Sequence, residues 1–317
     1  MVRGYTRRFA DLFRMKNFDI IFIHREASPF GPPLLEWLFM KVSGKYSIFD
    51  FDDAIWIPNV SETNWMTKYL KRFKNTNNCC HWASTISAGN KFLADYARQF
   101  NPKVIVNPTT IDIDKLNKRN GETEKWRNGD HVNSSALSFS HPPNHLFTIG
   151  WTGSHSTVQY LDYLVPVLLE LEKKFSFQFH VICDVAPKFQ LRSMKFIKWS
   201  KQAEIDDLLQ LDVGVMPLPD NVWTRGKCGF KAIQYMALGI PAVVSDVGIN
   251  AEIVNHDVNG CVCKTAGDWH HYLSKLMSDK EYLNRLSNRT REKIFSNFST
   301  QSNKENFLNL FKLTKNR

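Results

Sequence analysis

Short apolar runs alternate with segments of helical periodicity along most of the chain. In the first third, the runs that read as buried strands are "FDIIFIHRE", "KYSIFDFDD", "HWASTIS" and "KVIVNP". Between them, "PPLLEWLFMKVS" and "NWMTKYLKRFKNTNN" read as helices, and "AGNKFLADYARQF" has its apolar residues on one helical face, with Ser87 as a candidate N-cap before it. Strands that alternate with helices at this spacing predict βαβ units and a parallel sheet.

The alternation restarts after a polar, aperiodic stretch at 115–146, which reads as an interdomain linker with an insertion. The later strands are "LFTIGWTG", "FQFHVICD", "MKFIKW", "DVGVMPLP" and "IPAVVSDVG", and a helix with Ser156 as candidate N-cap follows the first of them. We predict an α/β fold with two Rossmann-like parallel-sheet domains, at 1–114 and 147–296, that face each other across a cleft. A helix at about 297–317 is expected to pack back on the first domain.

Charge and composition narrow the classes of partner. The chain has 317 residues and a formal net charge of +10, which suits a membrane face, a nucleic acid or a phosphate-bearing substrate, and equally a plain solvated exterior. No nucleic-acid motif accompanies the charge, so we expect no nucleic acid partner. The charged N-terminus and the lack of a long apolar run predict a cytoplasmic protein with at most peripheral membrane contact. Six cysteines without zinc-ligand spacing predict buried, reduced thiols.

Two strand-to-helix junctions carry glycines that favour phosphate binding. In "IGWTGSHST", Gly153 and Ser154 follow a strand, where glycine lets the backbone approach a ligand and a helix start offers N–H groups. In "RGKCGFKAIQYMALGIPAVVS", Arg225, Lys227 and Lys231 surround the start of a helix. Cations at a helix start are unfavourable unless they bind an anion, so this cluster indicates a diphosphate site. A plain tight turn explains the first junction equally well.

Several blocks, in order, resemble family 4 glycosyltransferases of the GT-B fold. The block "DVGVMPLPDNVWTRGKCGFKAIQYMALGIPAVVSDVGINAEIVNHDVNG" resembles their donor-binding half, and "IGWTGSHSTVQYL" resembles the entry to that domain. Three earlier segments resemble the acceptor-binding half of these enzymes: "FIHREASPFGPPLLEWL", "FDFDDAIW" and "GNKFLADYARQFNPKVIVNPTTIDID". The resemblance covers about residues 5–300, and the ordered set is far more specific than any single motif.

The resemblance implies a retaining transfer of a sugar from a UDP- or GDP-sugar to a glycan or lipid-linked acceptor of the cell envelope. It implies no metal cofactor, because basic side chains and helix N-termini stabilise the leaving diphosphate. By this resemblance, Gly153 and Ser154 approach the donor phosphates, and Arg225, Lys227 and Lys231 neutralise them. The segment 199–204, which includes Glu204, lines the base pocket, and Gln234 and Asn250 lie near the donor as well. An acceptor bound to lipid would bring the protein to the inner, anionic face of a membrane.

The chain departs from the family pattern in three places. The usual Glu-x7-Glu is replaced by Gly226 and Gln234, of which only Gln234 can hydrogen-bond a ribose hydroxyl through its side chain. Asp52 and Asp53 stand where many members have His-Asp, which leaves His24 as the nearest imidazole. The family's first strand and Gly-rich loop have no counterpart, so we expect an incomplete first domain. These departures support an alternative, a degenerate sugar-nucleotide-binding subunit without turnover.

The motif Asp50-Phe51-Asp52 is open to three interpretations. Asp52 and Asp53, together with His24, are candidate catalytic residues that hold acceptor or sugar hydroxyls. The acids also suit a capping or fold-supporting role. A third interpretation is a metal site in a GT-A-like, metal-dependent transferase, built on Asp50 and Asp52 because they share one strand face.

Overall fold

The computed structural model describes residues 2–28, 30–58, 72–119 and 145–312, with side chains described from residue 7 onward and not at 117–119. By contacts the chain divides into two compact units. Unit 1 takes its residues from 1–109, 221–228 and 303–317, and unit 2 from 110–220 and 229–302. The predicted α/β fold with two parallel sheets is confirmed. The predicted domain boundaries, at 1–114 and 147–296, stay predictions.

Unit 1 contains a four-stranded parallel sheet in the order β1-β2-β3-β4. The strands are β1 (Ile20–His24), β2 (Tyr46–Phe51), β3 (Thr85–Ala88) and β4 (Val104–Val106). In the register, His24 lies beside Asp50 and Phe51 beside Ala88. The polar residues that end β1 and β2 therefore meet at one edge of the sheet, as parallel strands require.

Six helices lie in the described part of unit 1. They are α1 (Val2–Arg14), α2 (Leu34–Trp37, extended by a π-helical turn at Leu38–Val42), α3 (Asn75–Trp82), α4 (Lys91–Arg98), α8 (Val222–Arg225) and α13 (Lys304–Lys312). Most of the helix predicted at "NWMTKYLKRFKNTNN" lies outside the described residues. The N-cap of α4 is Asn90, not Ser87, because β3 still contains Ser87. α13 packs Phe307 and Phe311 on the ring of Phe22 in β1.

Unit 2 contains a six-stranded parallel sheet in the order β10-β9-β8-β5-β6-β7. The strands are β5 (Thr148–Thr152), β6 (Gln178–Cys183), β7 (Met194–Lys198), β8 (Val213–Met216), β9 (Ala242–Ser245) and β10 (Gly260–Cys263). This is the doubly wound order, in which the chain builds outward from β5 on one side and from β8 on the other. Ligands of such sheets bind beyond the carboxyl ends of the strands at that switch point.

The helices of unit 2 correct one prediction, the N-cap at Ser156. They are α5 (Ile113–Arg119), α6 (Val165–Leu171), α7 (Glu204–Leu208), α9 (Phe230–Ala237), α10 (Asn250–Ile253), α11 (Ala266–Ser278) and α12 (Lys280–Asn297). α5 shows that the predicted linker at 115–146 begins as a helix, and 120–144 lies outside the described residues. Ser156 caps no α-helix: a 3-10 helix at Val158–Tyr163 comes first, and α6 starts at Val165 with Pro166 in its first turn.

All six cysteines are buried, free thiols, and each unit holds three of them. Unit 1 contains Cys79, Cys80 and Cys228, and unit 2 contains Cys183, Cys261 and Cys263. Burial raises the pKa of the Cys80 and Cys228 thiols to about 12. Within the described ranges, no helix is long and apolar enough to cross a membrane.

A buried histidine in β6 links the stability of unit 2 to pH. His180 is 2% exposed; its Nε2 lies 2.8 Å from Gln178 Oε1, and its Nδ1 is buried with no partner in the described structure. Burial, together with the charges of Lys195 and His145, lowers the pKa of His180 to about 4. The unfolded chain therefore binds this proton more readily than the folded one, so stability falls as the pH drops from about 6.5 to about 4.

We expect the variant His180→Gln to lose less stability than the natural chain between pH 7 and pH 5, because glutamine does not titrate. The measurement is the urea midpoint at both pH values for the two proteins. His271→Gln, at an exposed position, serves as the control and is expected to behave like the natural chain. An equal pH-dependent loss in all three proteins would contradict the assignment to His180.

Candidate functional site

A row of charged side chains lies at the carboxyl edge of the unit 1 sheet. His24 Nδ1 lies 2.6 Å from Asp50 Oδ2 across β1 and β2. In the next residue, Arg25 Nε donates to Asp52 Oδ1 at 2.7 Å and Arg25 Nη2 donates to Asp53 Oδ2 at 3.0 Å. One guanidinium therefore joins two consecutive carboxylates, a geometry that lysine could not reproduce.

Arg25 takes a backbone conformation that is unusual for its residue type. Its φ is +60°, in the left-handed region, and its amide donates to the carbonyl of Asp50 at 2.7 Å. Such a residue costs on the order of 1 kcal/mol and persists only where its surroundings hold it. The two ion pairs with Asp52 and Asp53 supply that restraint. The strained turn aims the guanidinium along the ends of the strands.

The same ion pairs set the charge state of Asp52. Burial raises the pKa of Asp52, but the hydrogen bond and charge of Arg25, helped by the charge of His24, outweigh it, so the pKa lies below its ordinary value. The pKa of Arg25 is raised, chiefly by its hydrogen bond to Asp52. Asp52 is therefore a carboxylate at neutral pH, suited to accept hydrogen bonds from hydroxyl groups.

The Asp-x-Asp motif has partners within the protein. Asp50 belongs to β2 and pairs with His24, whereas Asp52 lies beyond the end of β2 and pairs with Arg25. The prediction that the two acids share a strand face therefore fails, because the strand stops between them. Among residues 2–28, 30–58, 72–119 and 145–312, no group of three or more His, Cys, Asp or Glu side chains is placed to hold a metal ion.

The segment 221–228 completes this edge of unit 1. Asn221 and Thr224 form a capping box that starts α8, and Asn90 Nδ2 donates to the carbonyls of Gly226 and Lys227, both at 3.2 Å. Cys228 Sγ donates to the carbonyl of Asp52 at 3.1 Å. These bonds fix the backbone of the predicted phosphate-binding loop against the unit 1 sheet.

Packing explains why Gly226 stands where the family often has glutamate. A Cβ added to Gly226 would lie 2.7 Å from Ala54 Cβ and 3.0 Å from the Ala54 nitrogen, so no longer side chain fits. Gly89 is similarly close, since its Cβ would lie 2.5 Å from Cys228 Sγ. The departure from Glu-x7-Glu therefore follows from the close approach of two backbone segments.

The three predicted phosphate-binding cations lie in different environments. Lys227 Nζ donates to Asp53 Oδ1 at 2.8 Å and lies 4.7 Å from the centroid of the Trp223 ring. Arg225, the last residue of α8, is exposed and belongs to unit 1 with Lys227. Lys231 lies in α9 of unit 2, 5.5 Å from the centroid of Trp151. Lys227 thus already has a carboxylate partner in the chain itself.

In unit 2, the predicted glycine turn lies at the switch point of the sheet. Gly153 follows β5, and a Cβ added there would lie 2.3 Å from the Trp151 ring, so the turn requires glycine. The amide of Ser154 already donates to Thr157 Oγ1 at 3.2 Å, and the next amide, of His155, donates to Asp184 Oδ1 at 2.6 Å. The expectation of uncommitted N–H donors at this turn is therefore wrong for these two residues.

α9 packs its first turns against the end of β5. Tyr235 is fully buried, and its Oη accepts a hydrogen bond from the amide of Thr152 at 2.9 Å. Lys231, one helical turn before Tyr235, lies beside Trp151. Gln234, the residue before Tyr235, is buried. The helix starts after Gly229, whose φ of +68° and contact with Ile253 exclude a side chain. The structure thus brings Lys231 to the strand end that carries Gly153.

The remaining predicted donor residues have local partners. Trp199 follows β7, and its Nε1 donates to Glu204 Oε1 at 3.2 Å, which places both in one polar surface segment as the predicted base pocket requires. Asn250 is buried, and its Nδ2 donates to the carbonyl of Ser245 at 3.0 Å. This bond holds the turn after β9. The donor roles of Glu204 and Asn250 stay predictions.

Sequence reasoning missed Arg25 and Asn90 as organising residues of the unit 1 edge. Neither lies in a periodic pattern, and their partners are distant in sequence: Asn90 contacts residues 136 and 137 positions away. The one available signal was the position of both residues near the carboxyl ends of predicted strands of a parallel sheet.

Residues 180–293 match the family described as glycosyl transferases group 1. The matched segment covers less than half of the chain. It includes most of β6, all of β7–β10 and the segment "RGKCGFKAIQYMALGIP", and with them every predicted donor residue except Gly153 and Ser154. No curated protein sequence matches the chain.

Solved structures show the fold of nearly the whole chain. HepE from Anabaena in complex with UDP and glucose superposes with a TM-score of 0.69 at 12% identity, covering 96% of this chain and 80% of that one. Sucrose-phosphate synthase from Thermosynechococcus elongatus gives 0.66 at 13% identity over 96% of this chain and 76% of that one. The lipopolysaccharide outer core galactosyltransferase WaaB, in apo form, gives 0.60 at 14% identity over 98% and 80%.

These neighbours confirm the GT-B fold, and together with the group 1 match they support a glycosyltransferase. The alternative GT-A-like architecture is wrong, because both sheets are parallel and the neighbours are GT-B enzymes. The family 4 subclass stays a prediction.

The ion pairs of Arg25 predict a pH-dependent effect of the variant Arg25→Gln. Asp52 stabilises the natural fold above its unfolded pKa, and this contribution is lost as the pH falls through the lowered folded pKa. In the variant, Asp52 is half-buried without its partner. We therefore expect a loss of about 1 kcal/mol at pH 7, in the range of partly exposed ion pairs, and a smaller loss at pH 3.

The measurement is the free energy of unfolding in urea at both pH values. Arg98→Gln removes a matched but exposed ion pair, with Asp95, and is expected to change stability little at either pH. An Arg25→Gln loss that is the same at pH 7 and pH 3 would show that Asp52 is not held in its charged form by Arg25.

Proposed function

We propose that the protein is a retaining glycosyltransferase that moves a sugar from a UDP- or GDP-sugar to a glycan or lipid-linked acceptor of the cell envelope. The observation that carries this proposal is the group 1 match at 180–293, and it is supported by Lys231, which lies 5.5 Å from the centroid of the Trp151 ring in β5, the strand that precedes Gly153. The UDP complex of HepE supports a nucleotide-sugar donor, and WaaB supports an envelope acceptor. Retention of configuration rests on the family resemblance.

On the donor side, the diphosphate is the group that needs stabilising as it leaves. Lys231 lies near the start of α9, where the helix dipole and its cation both favour an anion. Arg225 and Lys227 are the further cations proposed for the diphosphate, and a phosphate oxygen would replace Asp53 on Lys227. Gln234 is proposed to bond the ribose, and Glu204 with Trp199 to contact the base.

On the acceptor side, the unit 1 edge offers carboxylates and an imidazole. We propose that Asp52 and Asp53 accept hydrogen bonds from sugar hydroxyls, since Arg25 keeps Asp52 charged. His24 has an exposed side chain, with Nδ1 2.6 Å from Asp50 Oδ2 and Nε2 4.0 Å from Asp52 Oδ1, and we propose that it contacts the same sugar hydroxyls. No metal is required in this proposal, because cations of the chain stabilise the leaving diphosphate by charge and hydrogen bonds.

Nucleotide binding in the presence of EDTA tests the donor proposal. We expect UDP or GDP, but not ADP or CMP, to raise the Tm by a few degrees in EDTA, because a ligand bound only to the folded chain stabilises it. The double variant Lys227→Ala, Lys231→Ala is expected to lose this rise. Lys188→Ala, at an exposed position, should retain it.

Two other outcomes would point elsewhere. A rise that appears only with manganese would contradict metal independence and return Asp50 and Asp52 to consideration as metal ligands. No rise with any nucleotide would contradict the donor proposal and favour an inactive chain. The second candidate function, a degenerate sugar-nucleotide-binding subunit, is supported by Gly226 and Gln234 and predicts nucleotide binding without sugar transfer.

We further propose that α1 holds the protein at an anionic membrane surface, where a lipid-linked acceptor would lie. Phe9 and Phe13, one turn apart, are 45% and 81% exposed, and Phe18 is 60% exposed. Exposed Arg7 and Arg14 flank them. Basic helices with exposed aromatic residues bind the surface of anionic bilayers. Such contact fits a cytoplasmic protein at the inner face of the membrane.

Vesicle sedimentation tests this contact. We expect binding to vesicles that contain phosphatidylglycerol, weaker binding at high salt, and little binding to phosphatidylcholine alone. Phe13→Ser should weaken binding about tenfold or more, because burial of a phenylalanine contributes about 2 kcal/mol. Phe196→Ser, at an exposed position in unit 2, is the control. Equal binding of both variants would exclude α1 as the contact.

A further inference from the structure

The side chain of Asn90 uses both ends of its amide. Asn90 is 2% exposed and lies between β3 and α4. Its Oδ1 accepts a hydrogen bond from the amide of Leu93 at 2.9 Å, which caps α4. Its Nδ2 donates to the carbonyls of Gly226 and Lys227, each at 3.2 Å. One buried group therefore joins the start of α4 to the loop that carries Lys227.

Capping alone does not explain the residue type. An N-cap needs only a hydrogen-bond acceptor, so serine, threonine or aspartate would cap α4 as well as asparagine. The two donated bonds need the amide nitrogen, which aspartate lacks and serine cannot extend as far. Loss of these donors would leave two carbonyls of the 226–228 loop without this partner, at a cost for each buried group.

Close backbone packing surrounds these bonds and leaves the loop little freedom. Gly89 allows Cys228 Sγ to approach, and Gly226 allows Ala54 to approach, as the added Cβ distances of 2.5 and 2.7 Å show. Cys228 Sγ also bonds the carbonyl of Asp52. Between these contacts, Lys227 places its ammonium 2.8 Å from Asp53. The position of that charge therefore depends on the backbone that Asn90 holds.

We propose that Asn90 is a positioning residue for donor binding: its amide fixes the carbonyls of Gly226 and Lys227, and so sets where the Lys227 ammonium meets the donor diphosphate. The proposal rests on the proposed function, in which Lys227 binds that diphosphate. Asn90 itself is buried and contacts the donor only through Lys227.

The test compares Asn90→Ser, which keeps a capping oxygen and no net charge, with Asn90→Ala, which loses the cap as well. UDP and GDP affinities are measured by calorimetry in EDTA, next to the Tm of each protein without nucleotide. We expect Asn90→Ser to weaken nucleotide binding about tenfold, in the range seen for coupled contacts, with a Tm closer to that of the natural chain than Asn90→Ala has.

A double-mutant cycle distinguishes positioning from a general loss of structure. If Asn90 acts through Lys227, then Asn90→Ser has little further effect on affinity in a Lys227→Ala chain. Equal tenfold losses in both backgrounds, or no loss in the natural background, would overturn the positioning role while the donor proposal stands. A natural chain that binds neither nucleotide, or a Lys227→Ala chain that binds as well as the natural one, would overturn both.

Discussion

The carboxyl edge of unit 1 depends on one guanidinium group. Arg25 joins Asp52 to Asp53, and Asp53 in turn holds Lys227. Without Arg25, two adjacent carboxylates would lie side by side in a partly buried position, where their like charges repel each other. The strained backbone of Arg25 is therefore the cost of placing a fixed positive charge between two acids. Asp52 keeps its charge because of this arrangement.

In unit 2, a buried tyrosine hydroxyl holds helix α9 against the end of β5. Tyr235 occupies a fully buried position in α9, and its hydroxyl oxygen accepts a hydrogen bond from the amide of Thr152 at the end of β5. Gly214 makes room for the ring, since a Cβ there would lie 2.2 Å from it. The start of α9, with Lys231, is thus held against the switch point by contacts in its own core.

Local patterns predicted much of this fold. Apolar runs ending in polar residues identified β1, β2 and the strands of unit 2, because buried parallel strands are continuous apolar segments. The sheet order β10-β9-β8-β5-β6-β7 was beyond reach, since strand neighbours far apart in sequence leave no periodic signal. The cap of α4 was misplaced at Ser87 because a strand and a helix start share the same few polar residues.

The candidate site was predicted only in part, because contacts between residues far apart in sequence leave no local pattern. The acids, His24 and the cations were visible as residue types, but the pairing of Lys227 with Asp53 joins positions 174 apart in sequence. The need for glycine at 226 could not be predicted either, because it arises from the close contact with Ala54, which is distant in sequence.

The reactivity of the six buried thiols can report local unfolding of each unit. Three lie in each unit, and none can react with a bulky thiol reagent until the surrounding structure separates. Cys228 is held between Gly89 and the carbonyl of Asp52, so its labelling rate follows the lifting of the 226–228 loop. Mass spectrometry of the labelled peptides would then show, residue by residue, which unit loosens first.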